Sequence, residues 1–329
     1  MTVPVLYPWQ QNVWQLLVQS RARQSMPHAL VLSGVGGVGL HSFADALSAW
    51  LLCQQPSAQG ACGQCKSCQL WLAASHPDYR HVQALTDEKT GKTSKVIKVD
   101  QIRELVAFLN KSPQLNGYRV AVIAPADILN INAANSLLKT LEEPGNNTAI
   151  ILLTDQPLAL LPTIRSRCQH FALSVPSTEQ ARQWLSPQLK QPELAHLLLQ
   201  LTEYAPLAAL ALEQSPWFQQ RAELAKTMVA VVTHKKSSLQ AAQYWHKTLT
   251  PEEQLTALQL VLADAVLVSF AQDSAIKNSD LLPIITQIAQ SLSPVRLLEL
   301  QATCMESQRL LAANIQAGLL LDNVWQALA

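Results

Sequence analysis

The stretch Gly34-Val35-Gly36-Gly37-Val38-Gly39-Leu40-His41 limits what this chain can fold into more than any other. An apolar run, Ala29-Leu30-Val31-Leu32, precedes it, and a helical pattern follows from Ser42. Strand, glycine loop and helix in that order make a P-loop nucleotide-binding fold, in which backbone amides cradle phosphate. Such a loop needs glycine at its first, fourth and sixth places, and Gly34, Gly37 and Gly39 fill them. The next two places need a Lys for the terminal phosphates and a Ser or Thr for magnesium. They hold Leu40 and His41. Leucine carries no charge and donates no hydrogen bond, so it compensates no triphosphate. His41 is too short to stand in for the Lys and is neutral at pH 7 in most settings.

The chain of 329 residues is long for one core, and two or three domains are expected. Glycine use divides it: all but Gly318 fall at or before Gly145, as expected of a sheet domain with tight turns followed by helices. Unalternating apolar runs at Val120 to Ala124 and Ala149 to Thr154 read as strands of a parallel sheet covered on both faces. Helices are expected at Trp9 to Gln19, from Asp100 as N-cap through Asn110, and at Asn130 to Glu143, where Pro144-Gly145 stops the last. Val175-Pro176-Ser177 reads as a linker, and the rest, rich in Leu, Ala and Gln, as helix. The expected fold class is α/β plus all-α. Residues 1–174 form a mostly parallel α/β domain, 175–214 a small helical domain, and 215–329 an all-α domain.

A net charge of +1 gives no global reason to bind nucleic acid. No export signal is read at the N-terminus. The apolar stretches Leu194 to Leu212 and Leu255 to Phe270 are interrupted by Glu203 and Pro206 or too short to span. The expectation is a soluble, cytoplasmic chain with no membrane partner.

Cys53, Cys62, Cys65 and Cys68 form a C-x8-C-x2-C-x2-C array. Two-residue gaps let thiolates converge on one metal, and Gly60 and Gly63 relax the backbone between them. Structural Zn2+ in a module at 53–68 is the expected occupant, since four thiolates leave no open position for catalysis. Disulfides or a redox pair are the alternatives, disfavoured in a cytoplasmic chain. Cys168 and Cys304 read as small buried hydrophobes.

The run Asn132-Ala133-Ala134-Asn135-Ser136-Leu137-Leu138-Lys139-Thr140-Leu141-Glu142-Glu143-Pro144 resembles a helix of clamp-loader AAA+ proteins, and Arg165-Ser166-Arg167-Cys168 contains their Ser-Arg-Cys motif. Cysteines inserted after the phosphate-loop helix are similar to those of the family's bacterial branch. The resemblance is dense over about residues 28–175 and architectural beyond. It implies an AAA+ P-loop domain with a zinc module, a helical lid and a C-terminal collar.

By the same resemblance, the metal-binding and water-activating acids of active members correspond to Ala124 and Pro125, and no lid arginine stands in Ala205 to Leu212. The chain would bind no ATP productively. Arg167 would act as a catalytic arginine finger in the ATP site of a neighbouring subunit, where a guanidinium forks onto phosphate oxygens. The implied partners are the ATPase (gamma/tau) and delta subunits of a hetero-pentamer, with the sliding clamp and primer-template DNA reached through the complex. A local role for Arg167, capping carbonyls or pairing with a carboxylate, is the plainer alternative.

Two other functions compete: an active P-loop ATPase motor, opposed by Leu40, Ala124 and Pro125, and a zinc-dependent DNA-binding protein, opposed by near-neutral charge. Lys89, Lys92, Lys95 and Lys98, flanked by Asp87, Glu88 and Asp100, read as a solvated charged loop. His76 and His81 read as surface or packing residues, Asp127 as an N-cap, and Trp217, Trp245 and Trp325 as helix-packing residues without interleaved basic groups.

Overall fold

The structure, a computed structural model, describes the chain apart from residues 1–3, 5, 87–93, 116, 273–274 and 313–314. Asp87, Glu88, Lys89 and Lys92 therefore lie outside the described residues. Two compact units divide the chain, Met1–Gln180 and Ala181–Ala329.

In the first unit, α1 (Gln11–Ala22) leads to β1 (Ala29–Ser33), the glycine loop and α2 (Leu40–Leu52). Then come α3 (Lys66–Leu72), β2 (Tyr79–Val82), α4 (Val99–Leu109), β3 (Arg119–Ile123) and α5 (Ile131–Glu142). β4 (Thr148–Thr154), α6 (Pro162–Arg165) and β5 (Gln169–Ala172) complete it. The five strands run parallel in the order β2-β3-β4-β1-β5. Every residue of β1, β3 and β4 is buried, which explains why their sequences are continuous apolar runs. One face of the sheet packs Ala121, Ile123, Ile150 and Leu152 against Ile102, Leu105, Leu137 and Leu141 of α4 and α5. The expected α/β domain with a parallel sheet is thus present.

Local starts differ from expectation in two places. α2 begins at Leu40, not Ser42, because Gly39 at φ 85° turns the chain directly into the helix. Lys98, not Asp100, is the N-cap of α4: its N–H donates to Gln101 Oε1 at 3.1 Å, while Asp100 lies in the first turn and pairs with Arg103. An acid there complements the helix dipole without capping. Asn130 does cap α5, its Oδ1 accepting from the Ala133 N–H at 2.8 Å.

A buried ion pair fastens the loop between α4 and β3. Asp78 and Arg119 are 1% and 2% exposed, with Arg119 Nη2 3.1 Å from Asp78 Oδ1. The carboxylate also accepts from the Gln114 and Leu115 N–H groups, and the guanidinium donates to the Phe108 and Ser112 carbonyls.

The second unit is helical. α7 (Thr178–Leu185), which begins in the first unit, is followed by α8 (Ala195–Leu201), α9 (Pro206–Glu213), α10 (Pro216–Val232) and α11 (Ser238–Thr248). α12 (Pro251–Ser269), α13 (Leu282–Ser291), α14 (Pro294–Ala312) and α15 (Ala317–Leu328) follow. Two apolar clusters form within it. One joins Ala181, Leu185, Leu198, Ala209 and Leu212. The other surrounds fully buried Trp245 and Trp325 and includes Cys304, while Trp217 packs against both. The tryptophans thus pack helices, as expected. Among the described residues no single helix is long and apolar enough to cross a membrane.

Candidate functional site

The phosphate loop keeps its backbone shape. Gly37 and Gly39 have φ of 90° and 85°, values that only glycine adopts freely. A Cβ on Gly34 would sit 2.8 Å from the Leu173 carbonyl oxygen, so β5's continuation requires glycine there. The N-terminal segment holds the loop from outside. Trp9 Nε1 donates to the Val38 carbonyl at 2.9 Å, and Gln10 Nε2 donates to the Val38 and Gly39 carbonyls at 3.0 Å. The Tyr7 ring, stacked on Trp9, covers Gly39 so closely that a Cβ would meet it at 2.8 Å. Sequence reasoning missed this clamp, because its members lie 28 and 29 residues from their partners.

The two places after Gly39 carry neither a Lys nor a hydroxyl. Leu40 begins α2, and His41 opens instead onto a cavity of about 480 Å³ shared with Asp45, Trp71, Tyr79 and His81. Burial raises the Asp45 carboxyl, with His41 opposing, and burial followed by His41 lowers the His81 imidazole. At the end of β3, Ala124 is buried and carries no ligand atom. Asp127 is not an N-cap: its Oδ1 accepts from Thr154 Oγ1 at 2.6 Å. That hydroxyl also accepts from the Gln156 N–H, so both groups are consumed in joining the ends of β3 and β4. α9 contains no arginine.

The four cysteines converge. Their sulfurs all lie within 4.8 Å of one another, with Cys53–Cys65 and Cys62–Cys68 each at 3.9 Å. A tetrahedron with metal–sulfur bonds of about 2.3 Å has edges of about 3.8 Å, so the geometry suits a metal ion. Backbone amides point at the sulfurs: Cys62 N–H donates to Cys53 Sγ, Cys65 N–H to Cys62 Sγ and Cys68 N–H to Cys65 Sγ. Backbone hydrogen bonds from Gln64 and Cys65 bring the Cys62 thiol down to about 6. The other two cysteines sit apart in apolar surroundings, where burial pushes Cys168 up to about 11 and Cys304 up to about 12.

His76 stays outside the cluster. Buried beside α3, its Nε2 meets Ser67 Oγ at 2.7 Å and its Nδ1 accepts from the Asp78 N–H. Burial lowers its basicity, with Asp78 opposing.

Arg167 stands just beyond α6, a third exposed. Its Nε donates to Glu142 Oε1 at 2.7 Å, and Nη2 donates to the same oxygen. Nη1 donates to the Thr163 carbonyl at 3.0 Å and to Ser166 Oγ at 3.3 Å. The free chain therefore shows the local contacts of the plainer alternative.

A glycine loop with Leu40 and His41 where Lys and a hydroxyl would stand, four cysteines that converge after α2 and an arginine between α6 and β5 define a P-loop-type domain with an altered phosphate site. A family model described as DNA polymerase III, delta subunit, matches residues 9–177, and one described as DNA polymerase III, delta subunit, C terminal, matches residues 215–325. DNA polymerase III subunit delta' of Pseudomonas aeruginosa is 38% identical over 248 residues, 75% of this chain and 73% of that protein. The proteins of that name from Yersinia pestis and Escherichia coli (strain K12) are 35% identical over 323 residues and 37% identical over 293. These alignments span 96% of this chain and 93% of the Yersinia protein, and 88% of this chain and 85% of the Escherichia protein. The chain belongs to the DNA polymerase III delta' subunit family.

Proposed function

We propose that this chain is the subunit of the DNA polymerase III clamp loader that turns over no ATP itself and supplies Arg167 in trans to a neighbour's ATP site. The observation that carries the reading is the loop: Gly34, Gly37 and Gly39 hold its shape while Leu40, His41 and Ala124 withhold ligands for phosphate and magnesium. A chain with no phosphate ligands of its own can still contribute a charged group to a site across an interface. Arg167 suits that task because it stays charged and lies partly exposed beyond α6.

In this reading residues 1–174, 175–214 and 215–329 act as AAA+ domain, lid and collar. The collar joins the ATPase (gamma/tau) and delta subunits in a hetero-pentamer, in the cytoplasm, that places a sliding clamp on primer-template DNA. Zinc fills the cysteine cluster, whose donor set and spacing favour it over harder cations. Its role is to order the segment between α2 and α3.

The test is reconstitution with the ATPase and delta subunits. Fingers of this kind contribute roughly 10³–10⁵ in rate. R167A is expected to assemble normally and to abolish the share of ATP turnover that comes from the adjoining site. Unchanged turnover in a complex of correct composition overturns the finger role.

A further inference from the structure

A guanidinium has five N–H donors. In Arg167, the Nε–H and one Nη2 hydrogen go to Glu142, and Nη1 serves the Thr163 carbonyl and Ser166 Oγ. One Nη2 hydrogen is left. A fork onto phosphate takes two parallel N–H groups, and the Nε/Nη2 edge that would make it is already filled by a carboxylate oxygen. The conformation that keeps Arg167 in place in the free chain is thus unable to deliver the contact its proposed role requires.

We propose that Glu142 is a latch for Arg167, a positioning residue that stows the guanidinium until a nucleotide-loaded neighbour takes it. This inference rests on the finger reading of Arg167 and adds the step that precedes its use. Glu142 is the last residue of α5, and Arg167 lies 25 residues on, just past α6. Both stand at or beyond helix ends and outside the strands, so the guanidinium can swing off the carboxylate without disturbing the sheet. The latch is weak by construction, because Glu142 is half exposed and Arg167 a third exposed. An ion pair so exposed shifts an equilibrium by a factor of about five at most. A triphosphate offers more negative charge than one carboxylate and more acceptor oxygens, so it draws the guanidinium away when it arrives. With no nucleotide next door, Glu142 keeps the cation paired and the neighbouring site incomplete.

E142Q tests the latch, since glutamine keeps the size of the side chain and removes its charge. In the reconstituted complex at low, non-stimulating levels of clamp and DNA, E142Q is expected to raise ATP turnover about twofold to fivefold. In the R167A background the same change is expected to do nothing, because a latch has no effect without its bolt. A merely structural role for Glu142 would lower turnover in both backgrounds.

A second measurement needs no activity: in the full free chain, exchange of the Arg167 Nε–H with solvent, followed by NMR, should quicken in E142Q. If R167A lowers turnover while E142Q leaves it unchanged or reduced, the latch is wrong and the finger stands. If R167A has no effect, the finger fails and the latch with it. Unaltered Nε–H exchange in E142Q also overturns the latch, whatever the turnover.

Discussion

Replacing Asp78 by asparagine should unfasten the α/β unit. Asp78 and Arg119 are 1% and 2% exposed, so water screens neither. The carboxylate accepts from Arg119 Nη2 and from the Gln114 and Leu115 N–H groups, an all-donor shell. The amide of D78N would turn an NH₂ group toward at least one of those donors and leave Arg119 charged and uncompensated. Breaking one side of a buried pair costs about 3–5 kcal/mol. At about 1.4 kcal/mol per decade, that is roughly a hundredfold to several-thousandfold in the unfolding equilibrium.

Because the chain has two compact units, a single whole-chain transition would mislead. The assay is therefore hydrogen exchange at the β1 and β3 amides, with urea unfolding alongside. With a urea slope of about 2 kcal/mol per molar, the midpoint for this unit should fall by about 1.5–2.5 M. The double variant D78L/R119M should cost less than the sum of the single changes, since it removes both charges together. A loss under about 0.5 kcal/mol in D78N, far below the cost of stranding a buried charge, would show that the pair is not desolvated as described.

The cysteine cluster should yield one zinc per chain by elemental analysis, and C65S or a strong chelator should remove it and loosen the segment between α2 and α3, read as new protease cleavage between residues 53 and 68. Retention of full zinc by C65S would rule out the four-sulfur site. His76 gives a pH signature. Burial holds its folded-state basicity below the ordinary value, so the unfolded chain takes up the proton first. Its contribution to stability is complete above about pH 6.5 and is lost as pH falls from there through the lowered folded value. Denaturant midpoints of the unit that holds His76, followed by exchange at the β1 and β3 amides, should therefore converge between wild type and H76Q on acidification; parallel profiles would mean His76 does not titrate with unfolding.

Much of the fold is legible because β1, β3 and β4 are buried on both faces, leaving apolar runs that a reader can find without partners. Asn130 and Pro144 likewise mark the ends of α5 by local chemistry. The glycine loop, Leu40 and the cysteine spacing are local too, and each lies where its pattern implies. The misreadings share a cause. Leu40 and His41 give no cue to a helix start, which is set by the left-handed backbone of Gly39. Asp127 looks like a cap until β4 brings Thr154 to it, 27 residues away. The Tyr7–Gln10 clamp, the Asp78–Arg119 pair and the Glu142 contact to Arg167 each join segments that only the folded sheet makes neighbours. Side-chain pairing across such separations leaves no periodicity to read.

Everything else depends on this chain having the fold of a nucleotide-binding domain and none of its phosphate chemistry. Equilibrium titration of the purified full chain with ATP and magnesium is the decisive measurement. No saturable binding is expected up to about 1 mM nucleotide, the level that corresponds to only about −4 kcal/mol. Stoichiometric, magnesium-dependent binding at micromolar ATP would overturn the reading of Leu40 and Ala124 as lost ligands, and with it the view of this chain as a partner to another subunit's ATP site.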